Sequence, residues 1–384
     1  MKLFFCILLI TIYHISFAQN TIHFNCDTTF IIYQDTTAHL AFPDVVKIKT
    51  GQFLLVYREG SDHYKTGKLI KQFGSKNGLE WTKPVILYDD TLFDDRDPSV
   101  TCLKNGKILV NFFKYVRSKK DTLPSVHHNY VIFSNDNGKN FSQAIQINKG
   151  EMNLKKAFII DSLFWVDENN NAINVEGTSH RIIEHQKQLI MASYGGNPMV
   201  LSGKNVKSAA SKISLFTSTD EGKKWTQKYI NKIFWKDVWL QEPALLKLDE
   251  NNFIIHVRTA KETPFRKGNM AYSSSSDACN TWSEWKYFPF IGHSPFLIKL
   301  ENNIILSAFR MLNNEYTSQS TAFIYSADNA KTWTEPIIVE DCGKTECGYP
   351  SIAEIAKNKI LFVYYGNNGH AIKAKIFSIE SENR

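Results

Sequence analysis

SNDNGKNF at 134–141, STDEGKKW at 218–225, SSDACNTW at 275–282 and SADNAKTW at 326–333 are four copies of one pattern, Ser-x-Asp-x-Gly-x-x-Trp. A weaker copy, GSKNGLEW, occupies 74–81. The closing aromatics Trp81, Phe141, Trp225, Trp282 and Trp333 follow one another at spacings of 60, 84, 57 and 51 residues. In each copy the Asp is placed to accept backbone N–H bonds inside a tight turn, and Gly supplies dihedrals closed to other residues. Cys279 and Ala330 stand at the Gly position in two copies, so those turns are expected to differ slightly.

A second element repeats in phase. Each unit opens with a Pro after a polar or aromatic residue: AFPDVVKI (41–48), RDPSVTCL (96–103), QEPALLKL (241–248), HSPFLIKL (293–300) and YPSIAEIA (349–356). Apolar runs of five to eight β-branched or aromatic residues follow each opening, and they read as strands. The third unit is less regular. Its second strand is QLIMASYGG (188–196), and an Asn-rich insertion near 167–174 accounts for the wide spacing. Six units of about 60 residues, each with four antiparallel strands, predict an all-β fold, a six-bladed β-propeller. The last unit ends one strand short, and Thr29–Tyr33 is a strand without a unit. The N-terminal strand is therefore expected to close the last blade.

Outward from the repeats, residues 1–18 read as a signal peptide. Lys2 precedes an apolar run, and Ser16-Phe17-Ala18 has the small-x-small form of a cleavage site. That leaves 19–384 as a single domain, secreted or periplasmic, with no membrane anchor. A net charge of +7 without a dense basic block argues against nucleic acid and suits an anionic glycan. Cys342 and Cys347 flank Gly-Lys-Thr-Glu and can either close a small loop or remain thiols. No Cys/His spacing resembles a zinc site, so neither metal nor cofactor is expected, and the chain is expected to act as a monomer.

Strand alternation puts the start of each inner strand and the end of each second strand on one face. The Ser-x-Asp turns fall on the other. The starts carry Phe42-Pro43-Asp44, Arg96-Asp97, Glu176, Glu242, His293 and Tyr349. The ends carry Arg58, Lys114-Tyr115, Tyr194, Arg258, Arg310 and Tyr365. This is a dense ring of charged and phenolic groups about a central funnel, more than a purely structural propeller needs.

Several such turns, known as Asp boxes or BNR repeats, on six blades resemble the sialidase (neuraminidase) superfamily. The resemblance implies a retaining glycosidase with a tyrosine nucleophile, a departure from the two-carboxylate scheme. It gives Tyr349 the nucleophile's place, Glu242 the glutamate that polarises it and Asp62, in REGSDH, the acid/base. Arg258 and Arg310 match two of the three arginines that hold a substrate carboxylate, a task suited to the planar guanidinium. Two positions depart from the family. Ala41-Phe42-Pro43 stands where the first of those arginines belongs, and Tyr364-Tyr365 replaces the Tyr-Glu pair that steadies it. Arg96 or Arg58 is left to supply a third positive group, although Arg58 and Arg310 can also pair with Glu59 and Glu315 as plain bridges.

Three readings follow. The first is a sialidase-like hydrolase removing a terminal acidic sugar from a glycan. The second is a propeller lyase or glycosidase on uronate-containing polysaccharide, with His63 as base. The third is a non-catalytic glycan-binding propeller.

Overall fold

In the computed structural model, which describes residues 21–63, 65–116, 126–147, 158–160, 164–166, 175–196, 201–202, 205–206, 211–230, 238–261 and 268–382, the apolar runs pair as strands. The signal peptide, the insertion at 167–174 and the side chain of Glu176 lie outside these residues. Phe53–Gly60 pairs with His39–Lys47 on one side and Gly67–Gly74 on the other, and Val85–Tyr88 adds the outer edge. The same inner-to-outer order, all antiparallel, recurs in six sheets, the blades of a propeller. No helix occurs among the described residues.

The last blade joins the two ends of the chain. Gly348–Ala356, Lys359–Gly366 and Ala371–Glu382 are completed by Thr21–Gln34, which pairs with Ala371–Glu382 from Thr21↔Glu382 to Gln34↔Ala371. The closing strand is thus 14 residues long, well beyond the Thr29–Tyr33 core that stands out in the sequence.

Apolar side chains fill the wedges between blades. Leu40, Phe53, Leu55 and Tyr57 of blade 1 pack with Leu361, Val363 and Tyr365 of blade 6. Leu103 and Leu109 of blade 2 pack with Met191, Phe216 and Trp225 of blade 3. The repeated aromatic therefore works between blades as well as on its own sheet.

The Ser-x-Asp turns form as expected. Ser218 Oγ bonds Asp220 Oδ1 at 2.8 Å and accepts the Gly222 N–H, while Asp220 accepts the Lys224 N–H. The expected deviation at Cys279 and Ala330 is small. Both adopt the left-handed backbone, at φ 68° and 66° against 83° and 90° for Gly138 and Gly222, and both donate N–H to the turn's Ser Oγ. The serine and aspartate bonds outweigh the steric cost of a Cβ there.

Blade 3 is built differently. Its inner strand is split into Val175–Gly177 and Ile183–His185. The link between them carries His180 and Arg181. Arg181 pairs with Asp44 of blade 1 at 2.8 Å and bonds Val45 O, Ser351 Oγ and Ile352 O. Blades 3 and 6 face each other across the ring, so Arg181 crosses the axis. Asp44 also accepts Ser351 Oγ–H at 2.6 Å and the Val100 N–H of blade 2 at 2.7 Å. The sequence puts Asp44 in the functional ring. It lies instead in an ionic hub that ties blades 1, 2, 3 and 6, with its oxygens taken up by protein donors.

Candidate functional site

Five inner strands share one device. The pairing register slips between Ala41 and Asp44, Arg96 and Ser99, Gln241 and Ala244, His293 and Phe296, and Gly348 and Ser351. At each slip a residue with positive φ precedes a proline: Phe42 (58°), Asp97 (47°), Glu242 (50°), Ser294 (51°) and Tyr349 (47°). These are β-bulges, which redirect a side chain from the sheet. A positive φ in such residues costs on the order of 1–3 kcal/mol each and is held only by its surroundings. In blade 5 the bulged residue is Ser294 rather than His293, so the position after the histidine is the one that matters.

Three of these residues converge. Tyr349 Oη donates to Glu242 Oε1 at 2.8 Å. Arg258 Nη1 donates to the same oxygen at 2.9 Å. The other oxygen takes the Ser294 N–H at 2.8 Å and the Ser294 hydroxyl at 2.9 Å. Burial pushes the Glu242 carboxyl up, but the charges of Arg258 and Arg310 and the Tyr349 and Ser294 bonds outweigh it and hold it below its ordinary value. Glu242 is therefore a buried anion. Burial, then the charges of Glu242 and Asp97, raise the Tyr349 phenol well above its usual value, with Arg310 and Arg258 opposing. Arg310 lies 5.5 Å from the Tyr349 ring centre and reaches Tyr365 Oη at 3.4 Å. Gly348 permits this approach, because a Cβ there would lie 2.7 Å from Arg310 Cβ.

Asp97 differs from Glu242. Its Oδ1 is buried without a hydrogen-bond partner. Burial, reinforced by Glu242 and Asp94 and opposed by Arg96 and Arg58, pushes its carboxyl up to about 7. The two carboxyls are thus pushed in opposite directions, Glu242 down and Asp97 up, the pattern that separates acid from base in a site.

The remaining candidates divide. Arg58 is fully buried; its donors go to Asp94 Oδ1 at 2.6 Å and to the carbonyls of Asp62 and Lys65. It holds a loop and does not face the funnel. Its partner is Asp94, while Glu59 pairs with Lys68. Arg96 bonds Asp94 Oδ2 and the His63 carbonyl, and its guanidinium lies 4.9 Å from the Phe42 ring centre. Asp62 is 43 % exposed, accepts the Lys65 N–H and pairs with the Lys65 ammonium at 3.2 Å. His63 turns inward, 5.5 Å from the Phe42 ring, which is itself 4.5 Å from that of Tyr349.

Glu346, not singled out from sequence, completes the wall. Cys342 and Cys347 are disulfide-bonded, and Glu346 sits within their loop. It accepts Tyr365 Oη at 2.7 Å and contacts His39 Nε2 at 3.1 Å and His63 Nδ1 at 2.8 Å. The flanking cysteines are the one sequence signal that marks it. His39 carries none.

This six-bladed fold is shared with solved sialidases and an arabinanase. The chain belongs to the BNR repeat-like domain family, whose profile matches residues 51–361. A protein of unknown function from Dyadobacter fermentans shares the fold at TM-score 0.74 and 19 % identity, over 94 % of this chain and 99 % of that one. The Hadza microbial sialidase Hz136 follows at 0.63 and 14 %, over 88 % and 65 %. The Penicillium chrysogenum alpha-L-arabinanase complexed with arabinobiose matches at 0.64 and 14 %, over 93 % and 98 %. Identities this low speak for the fold alone. No curated protein matches in sequence.

Proposed function

We propose that the protein is a glycoside hydrolase that removes a terminal acidic sugar from a glycan by a retaining mechanism with Tyr349 as nucleophile. The 2.8 Å bond from Tyr349 to Glu242 carries this reading. The phenol is protonated at rest, so attack on the anomeric carbon passes its proton to Glu242 as the new C–O bond forms. Arg258 and Arg310 stabilise that pair and retain donors for a substrate carboxylate. Asp62, on an exposed loop of the funnel face, protonates the leaving oxygen and later activates water. Asp97, protonated below about pH 7, offers a hydrogen bond to the seated ring. Arg58 has no part in contacting substrate, and Arg96 supplies positive charge from beside Phe42. The leader at 1–18 and the Cys342–Cys347 disulfide support an oxidising, extracytoplasmic setting, in which the protein works as a monomer.

The test is hydrolysis of a panel of chromogenic sialosides, uronides and neutral glycosides by the parent and by Tyr349→Phe. An acidic glycoside should be cleaved by the parent, with turnover falling by several orders of magnitude in the variant and binding retained. Near-parental turnover in the variant rejects the tyrosine mechanism. Binding in the funnel with no cleavage of any glycoside by the parent points to the non-catalytic propeller.

A further inference from the structure

Beside the Tyr349 pair, where blade 1 meets blade 6, three metal-ligand side chains come together. His39 Nε2 lies 3.1 Å from Glu346 Oε2, and His63 Nδ1 lies 2.8 Å from Glu346 Oε1. One ligand atom from each of the three lies within 4.8 Å of the others. Ligands set tetrahedrally around an ion at 2.0–2.1 Å stand about 3.3 Å apart, so the cluster must contract by up to about 1.5 Å to close on an ion.

Each ligand is held from a separate element. His39 begins the inner strand of blade 1, and the backbone of Gly369 (φ 80°) lies so close to its ring that a Cβ there would overlap it. Glu346 is fixed by the disulfide loop and by the Tyr365 hydroxyl. His63 rides a loop whose carbonyls are gripped by Arg58 at Asp62 and by Arg96 at His63 itself. Such prior ordering of a ligand shell is what a metal site requires.

We infer that His39, His63 and Glu346 form a binding site for a zinc-class divalent cation in the funnel wall. Two imidazoles and one carboxylate suit a borderline ion such as zinc, and three protein ligands leave a position open for an outside oxygen. Solvent reaches the cluster through His63 and Glu346, whose side chains are 21 % and 23 % exposed. Coordination through Nδ1 places the His63 proton on Nε2, so the 3.3 Å contact with Arg96 Nη2 must open. Arg96 keeps Asp94 and the His63 carbonyl. Resting on the acidic-sugar reading, the ion supplies positive charge beside Phe42, where the strand offers no arginine, and a sugar carboxylate or hydroxyl takes the open position.

The test is titration of chelator-stripped full-length protein with Zn²⁺ alone by calorimetry, and with Co²⁺ alone by visible absorption. One equivalent should bind, and cobalt should give the intense bands of a four-coordinate site. His39→Ala and Glu346→Gln should each weaken binding by about a hundredfold or more, since a three-ligand site loses one bond outright. Glu346→Gln keeps an acceptor for Tyr365 and serves if His39→Ala fails to fold. Tyr349→Phe should bind the ion as the parent does, so a failed tyrosine mechanism leaves this result standing. Absence of stoichiometric binding at micromolar ion overturns the proposal, as does binding that survives Glu346→Gln. Either outcome makes the cluster a hydrogen-bonded strap.

Discussion

Two sets of left-handed residues recur around this ring, and they behave oppositely. On the outer turns the backbone repeats and so do the side chains: Ser134, Ser218, Ser275 and Ser326 each bond an Asp two residues on. On the inner strands the bulge before proline repeats, yet its side chain is Phe42, Asp97, Glu242, Ser294 or Tyr349. Repetition of backbone and side chain together marks a stability device. Repetition of backbone with free choice of side chain marks a mount, on which a ring of blades can display any chemistry.

The largest effect that tests this contrast is on turnover. Glu242→Gln keeps the shape of the bulge but removes the proton acceptor, and should slow cleavage by about 10²–10⁴-fold, the usual share of a general base. Steady-state kinetics beside a thermal melt checks this; loss of folding with normal turnover in the surviving fraction would break the contrast. On the other face, Trp225→Ala should destabilise by roughly 3–5 kcal/mol, because the ring is buried between blades 2 and 3. Trp333, only partly buried, should cost less. Denaturant melts give both values, and substrate affinity in the folded fraction should not change.

pH dependence sharpens the comparison by its sign. Asp97, pushed up to about 7 mainly by burial, keeps a proton between pH 4 and 7 that the unfolded chain has lost. Its contribution makes stability fall as pH rises through that window. Asp277, on an outer turn, is held down to about 2 by the Thr281 hydroxyl and N–H and by Ser275. Its contribution is present above pH 4 and is lost as pH falls toward 2. Asp97→Asn should flatten the first slope of a melting-temperature profile, and Asp277→Asn the second. Exchanged effects would refute the assignment. The smallest expected change is Ala330→Gly, which should raise stability by about 0.5–1 kcal/mol, since relief of left-handed strain is offset by a freer unfolded chain. A loss on chemical denaturation would show that the alanine is packed rather than strained.

What the sequence discloses follows the range over which its signals act. The turn motif and the X-Pro openings are local, so the blade count and four of the five bulge residues can be read directly. Ser294 hides behind the more conspicuous His293. Arg181 lies in the one blade without an X-Pro opening, and its partners Asp44 and Ser351 are 137 and 170 residues away. Glu346 and His39, 307 residues apart, meet because the ring closes between them. Arg58 fits a substrate-binding pattern by position, and only the neighbouring blade's Asp94 reveals its structural task. The Tyr349–Glu242 pair is visible in advance through resemblance, since no local pattern links residues 107 positions apart.

Thr21–Gln34 and Ala371–Glu382 close one sheet from far apart in the sequence, with Asp27 and Ser378 joined across 351 positions. The first of these strands precedes the other five blades in the chain and waits for them to be made before it finds a partner. Non-local pairing of this kind is slow, so nascent chains are open arcs. Tyr349 and Glu346 both follow the last strand of blade 5, Ile337–Gly343. A chain folded only through blade 5 therefore has most of its sheets but no finished pocket, and any activity waits on closure of the ring.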